Sequence, residues 1–90
     1  MNRILKKTQL SDDVYRMEVE APLIARERKP GQFIILQIDD QLGERIPLTI
    51  ADADPAQGSI TLIFQAVGRT THLLADKQEG DTIAALLGPL

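Results

Sequence analysis

Within the segment 14–20, residues 15–20 alternate strictly: Tyr15, Met17 and Val19 are apolar, while Arg16, Glu18 and Glu20 are charged. A half-buried strand requires this period of two, because successive side chains point to opposite faces. The pattern returns over residues 59–67. There Ile60, Leu62 and Phe64, with Ala66 beyond them, lie on one face, and Thr61, Ile63 and Gln65 on the other. Short strands divided by turn chemistry therefore govern the chain. Residues 4–10 read as a strand ahead of the polar turn Ser11-Asp12-Asp13, and Pro22 ends the second strand. Arg26-Glu27-Arg28-Lys29 reads as a mixed-charge loop, and Pro30-Gly31 as a turn before the most apolar strand, residues 33–38. A polar connection over 39–44, containing Gly43, leads to a fourth strand over 46–51. Pro47 cannot donate to a ladder, so it belongs on an edge or at a bulge. Residues 52–58 form a hairpin connection to the fifth strand. Thr70 or Thr71 is placed to N-cap a short helix running to Lys77, with Leu73 and Leu74 turned inward and Gly80 near its end. Neither Thr is followed three residues on by Glu or Gln, so no capping box is expected. Residues 82–87 read as a sixth strand.

Six short strands and one small helix predict an all-β domain, an antiparallel barrel that is closed or nearly so. An open sheet would leave one face of these apolar strands wet. The chain has 90 residues, enough for one domain that buries roughly 60–65% of its unfolded surface. It shows no internal repeat. A net charge of -3, from 10 basic and 13 acidic residues, gives no long-range attraction to nucleic acid or to an anionic membrane. Without cysteine there is no disulfide and no thiolate for zinc or an iron–sulfur cluster, and a single His cannot build a His-rich metal site. The first residues lack the apolar run of a signal peptide, and no run approaches the ~20 residues that span a bilayer. The expected location is cytoplasmic. The chain stays apolar through Leu86, Leu87, Pro89 and Leu90, which predicts the first part of a longer polypeptide.

Two segments carry the candidate chemistry. In Arg45-Ile46-Pro47-Leu48-Thr49-Ile50, the Arg45 guanidinium offers a donor fork that fits phosphate oxygens, and Thr49 offers a hydroxyl that both donates and accepts. A flat heteroaromatic ring needs such groups at its polar edge and an apolar wall on its face. The same residues also suit a solvated Arg followed by an ordinary strand with a bulge. In Gly68-Arg69-Thr70-Thr71, glycine lets a ligand approach the backbone, and amides at a helix N-terminus favour anions such as a diphosphate. A plain capped turn between strand and helix fits that segment equally well. Together the two segments could hold a ring at one end and a diphosphate at the other, the outline of a flavin. His72 reads as a surface or packing residue, and the Asp39/Asp40 and Asp52/Asp54 pairs as solvated carboxylates. The chain has no Gly-x-Gly-x-x-Gly and no Gly-Lys-Ser/Thr loop, so it shows no nicotinamide or ATP site of its own.

Pro30-Gly31-Gln32-Phe33, Glu44 with the Arg45–Ile50 segment, Gly68-Arg69-Thr70-Thr71, Gly80-Asp81 and Leu87-Gly88-Pro89-Leu90 occur here in an order and spacing that resemble the flavin-binding barrel of the ferredoxin–NADP reductase superfamily. Within it the chain is similar to the small subunit of NADH-dependent ferredoxin:NADP oxidoreductase and to the electron-transfer subunit of dihydroorotate dehydrogenase. The resemblance covers essentially the whole chain. It implies FAD bound outside a six-stranded Greek-key barrel. The superfamily's Arg-x-Tyr-Ser/Thr motif falls on Ile46, Pro47, Leu48 and Thr49, with Thr49 near the flavin's N5 edge. Ile63, Phe64 and Gln65 would border the ribityl or adenosine part, and Gly68, Thr70 and Thr71 the diphosphate. The motif's Arg position holds Ile46, with Arg45 one residue early, and its aromatic position holds Leu48. The resemblance further implies electron transfer between NAD(P)H, bound by a following domain, and an iron–sulfur or ferredoxin-type partner or larger oxidoreductase subunit. The other reading is a small β-barrel interaction module without a cofactor. Binding of single-stranded nucleic acid is disfavoured by acidity and by having only Tyr15, Phe33 and Phe64 as aromatics.

Overall fold

The computed structural model describes residues 2–39, 41 and 44–90. Asp40 and Gly43, in the predicted 39–44 connection, lie outside the described residues. The strands are β1 (Asn2–Gln9), β2 (Val14–Glu20), β3 (Phe33–Gln37), β4 (Arg45–Asp54), β5 (Ser59–Gln65), β6 (Thr82–Ile83) and β7 (Ala85–Leu87), and the helices are α1 (Pro22–Glu27) and α2 (Arg69–Asp76). The seven strands form one antiparallel sheet in the order β6-β1-β2-β5-β4-β3-β7. The all-β barrel expected from the alternation is therefore present.

The strand count differs by one for a topological reason. β6 pairs with β1, through Asn2↔Ile83 and Arg3↔Thr82. β7 pairs with β3, through Ile35↔Leu87, Leu36↔Leu86 and Gln37↔Ala85. The single segment predicted over 82–87 thus bridges the two edges of the sheet, and it bends at Ala84 to do so. An unpaired edge is a template for aggregation, and this crossing covers the start of β1 and the second half of β3.

The inward faces follow the period of two. Met17, Val19, Ile34, Leu36, Ile60 and Leu62 are wholly buried, with Ile4, Ile50 and Leu74 beside them. A second helix, α1, occupies residues expected to be the end of a strand and a charged loop. Pro22 stands at its first turn, where a missing N–H costs nothing, and Ile24 and Ala25 face the core. Six residues are too few to show a 3.6 period. Gly58 lies beneath α1 at φ +76°, and a Cβ there would sit 3.2 Å from the Pro22 Cβ. The Ala21 amide donates to Gly58 O at 2.9 Å, so the turn before β5 and the start of α1 are built as one unit. α1 sits where β5 begins and α2 follows where β5 ends.

Candidate functional site at the β4–β5 seam

β4 changes partner halfway along. Residues 45–49 pair with β3, from Gln37↔Arg45 to Phe33↔Thr49, whereas Ile50, Asp52, Ala53 and Asp54 pair with β5. The register shifts between Ile50 and Asp52. Arg28 braces the switch, donating from Nη2 to Ile50 O at 3.3 Å and to Ala51 O at 3.4 Å, while its Nε is buried without a partner among the described residues. Pro47 therefore lies in the half of β4 that pairs on one side only, as its missing donor requires. β5 parts from β4 beyond Ile50↔Leu62, and its later residues, Ile63 to Gln65, pair only with β2.

This divergence places both predicted segments at the same end of the β4–β5 pair. The two strands run antiparallel, so stepping back along β4 from Ile50 to Arg45 and forward along β5 from Leu62 to Gly68 leads the same way. On the outward face, Phe33 pairs with Thr49, and the Ile50↔Leu62 register brings Thr49 level with Ile63 where the strands split. The result is an exposed hydroxyl between two apolar side chains, Phe33 at 37% and Ile63 at 46% exposure. Pro47 and Arg45 continue the exposed face of β4. The Arg45 Nε donates to Gln37 Oε1 at 3.4 Å, and the rest of the fork has no partner among the described residues.

Not every predicted residue offers its side chain there. Ile46 and Leu48 turn inward, half-buried, and pack against the core. Phe64 is buried and stacks on Tyr15, with ring centroids 5.8 Å apart. Thr70 is buried, and Gln65 Nε2 donates to Asp13 Oδ2 at 2.8 Å. At Ile46, Leu48, Phe64 and Thr70 the backbone is what remains available to a ligand, while exposed Gln65 also keeps its amide oxygen.

The helix start differs from the expected cap. Gly68, not Thr70 or Thr71, is the N-cap, and α2 begins at Arg69. Gly68 is extended (φ -130°, ψ 179°), a conformation open to any residue, and the nearest atom to a Cβ there would be Thr71 Oγ1 at 4.0 Å. Glycine at this position leaves open space. Thr71 folds back instead. Its hydroxyl accepts from Val67 N at 3.0 Å and Gly68 N at 2.9 Å, and donates to Gly68 O at 3.1 Å. This is the reciprocal half of a capping box, made by Thr where Glu or Gln was sought. A hydroxyl has one donor and two acceptor positions, so Thr71 is saturated by its own turn. With no cap side chain to accept from them, the first-turn amides of α2 are left for an acceptor from outside. Exposed Arg69, at the first helical position, adds a cation that the site prediction omitted.

Two hollows lie elsewhere. One of about 490 Å³ is lined by Lys7, Tyr15, Asp76 and Glu79 near the end of α2, and one of about 360 Å³ by Pro22, Leu23 and Leu86 beside α1. The seam site is an open face that an elongated ligand would lie across. Among the described residues, no group of three or more His, Cys, Asp or Glu is placed to hold a metal, and no helix is long and apolar enough to cross a membrane.

With this antiparallel barrel and the seam beside it described, the chain is similar to electron transfer subunits and to ferredoxin–NADP reductase-type oxidoreductases. It is similar to a dihydroorotate dehydrogenase B electron transfer subunit homolog of Thermotoga maritima, 42% identical over 90 residues, covering 100% of this chain and 32% of that protein. The dihydroorotate dehydrogenase B electron transfer subunit of Bacillus velezensis is 36% identical over 89 residues, covering 97% of this chain and 34% of its own length. The solved structure of an NADH-dependent reduced ferredoxin-NADP oxidoreductase, studied for flavin-based electron bifurcation, superposes with a TM-score of 0.96 at 42% identity, over 99% of this chain and 32% of that one. A ferredoxin NADP+ reductase of Neisseria gonorrhoeae with bound FAD and NADP shares the fold at 20% identity and a TM-score of 0.77, over 97% of this chain and 37% of its own. The chain thus spans about a third of the length of these relatives. No protein-family model matches it.

Proposed function

We propose that this chain holds FAD across the β4–β5 seam and serves electron transfer in an oxidoreductase. The observation that carries the reading is that residues 45–49 and 68–71 emerge at the same end of the β4–β5 pair. The donor set fits the group. Thr49 presents a hydroxyl to the polar edge of a flat ring, with Ile63 and Pro47 as apolar surroundings. Arg45, Arg69 and the first-turn amides of α2 present positive potential to a diphosphate, and the space beside Gly68 admits it. Ile46, Leu48 and Phe64 contribute backbone, exposed Gln65 contributes backbone and its amide oxygen, Thr71 holds the turn, and Thr70 is buried beside it. The flavin supplies the electron chemistry, which none of the chain's own side chains can perform, and the protein binds, orients and tunes it.

The finer reading is an FAD-dependent NAD(P)H:ferredoxin-type oxidoreductase subunit in the cytoplasm, working with a larger subunit or a ferredoxin-type protein. In this reading the 90 residues are the flavin barrel of a longer protein, and NAD(P)H binds outside them. Relatives about three times as long support it, as does the lack of a glycine-rich nucleotide loop here.

Adding FAD to the purified, folded protein tests the proposal. Quenched flavin fluorescence and a perturbed visible spectrum are expected. Unchanged spectra with excess FAD and FMN would overturn it.

A further inference from the structure

Phe33 opens β3 and stands directly opposite Thr49. Its neighbours Ile34 and Leu36 are wholly buried, so the period of two turns Phe33 outward, onto the same face as the Thr49 side chain. Directly opposed side chains of an antiparallel pair have Cβ atoms about 4.5–5.5 Å apart, which sets the ring beside the hydroxyl. The backbone presenting it is held firmly. Phe33 N donates to Leu90 O at 3.2 Å, and Phe33 O accepts from Leu90 N at 2.9 Å.

Of the three aromatics, Tyr15 and Phe64 are occupied with each other, leaving Phe33 as the ring available at the surface. It is also a large apolar group left partly in water next to the one exposed hydroxyl of the β4 face. A binding site for a flat ring combines such a polar point with an apolar wall. Leu48, at the superfamily's aromatic position, faces the core and cannot supply that wall with its side chain.

Resting on the flavin reading above, we propose that Phe33 contacts the flavin, walling the tricycle's polar edge beside Thr49 and keeping water from it. The test compares FAD binding to the intact protein and to its Phe33→Thr, Phe33→Leu and Phe33→Tyr variants, with far-UV circular dichroism as the check on folding. Threonine keeps the strand preference and leucine keeps apolar bulk, so the test survives if one of them misfolds. Loss of the ring in Phe33→Thr should raise Kd about tenfold and make bound flavin more open to iodide quenching. Phe33→Leu should still raise iodide quenching, and Phe33→Tyr should restore both values to within about twofold of the wild type. If folded Phe33→Thr or Phe33→Leu matches the wild type in affinity and quenching, the proposal fails while the flavin reading stands. If the wild-type protein binds no FAD, the flavin reading fails and takes this proposal with it.

Discussion

Because the Thr71 hydroxyl accepts from two amides and donates to one carbonyl, Thr71→Val removes three contacts that hold the turn into α2. Loss of such a cap costs about 1 kcal/mol, so urea unfolding should show that decrease and FAD affinity should fall with it. Thr71→Ser keeps the oxygen and should restore both. If Thr71→Val instead weakens FAD binding with stability unchanged, the hydroxyl acts on the ligand directly and the turn account is wrong. Thr49 should behave in the opposite way. Its hydroxyl is exposed and makes no bond to another described residue, so Thr49→Val should leave stability within about 0.5 kcal/mol. It should raise the Kd for FAD about five- to tenfold, the loss of one hydrogen bond, by fluorescence titration. Residue chemistry is enough to nominate Thr49 and Gly68 from sequence, since hydroxyls and Cβ-free positions before a helix are few. It does not nominate Phe33, because only strand register shows that it faces Thr49. Which residue caps α2 was equally hidden, since backbone angles decide between Gly68 and the two threonines.

Elements with a strong repeat were readable, and short or two-partner elements were not. β2 and β5 could be recognised from alternation alone because each keeps one face buried along its length. α1 escaped because Pro22 serves as well to end a strand as to begin a helix. β4 was expected to end at Ala51, yet it runs to Asp54, because its second half pairs with β5 after the register shift. At that shift Arg28 reaches from the segment after α1 to the carbonyls of Ile50 and Ala51. Arg28→Met keeps the apolar stem and removes both donors, so the protein should lose about 1 kcal/mol by urea unfolding. Arg26→Met is the comparison. Its side chain is 68% exposed and lies 4.0 Å from Glu27 at best, so its loss should be close to zero. Equal effects from the two substitutions would show that Arg28 does not brace the bulge.

At the scale of the whole molecule, one short segment joins the sheet's two edges. β6 contributes two residue pairs to β1 and β7 three to β3, and Ile83, at 2% exposure, plugs the interior at the crossing. The sequence contains the apolar residues of this segment but not its division between two partners, because pairing is a property of the folded sheet. Cutting a buried Ile to Ala costs about 2–5 kcal/mol, against a total stability of about 5–15 kcal/mol for a domain. Ile83→Ala should therefore remove a large fraction of the stability while the unfolding transition stays single. FAD should partly restore the midpoint, since a ligand that binds only the folded barrel stabilises it by mass action. Leu90, on the same closing stretch but 54% exposed, should tolerate Ala within about 0.5 kcal/mol. A loss under about 1 kcal/mol for Ile83→Ala would mean that the two sheet edges hold together without the crossing, and that the barrel's closure follows from the other strands.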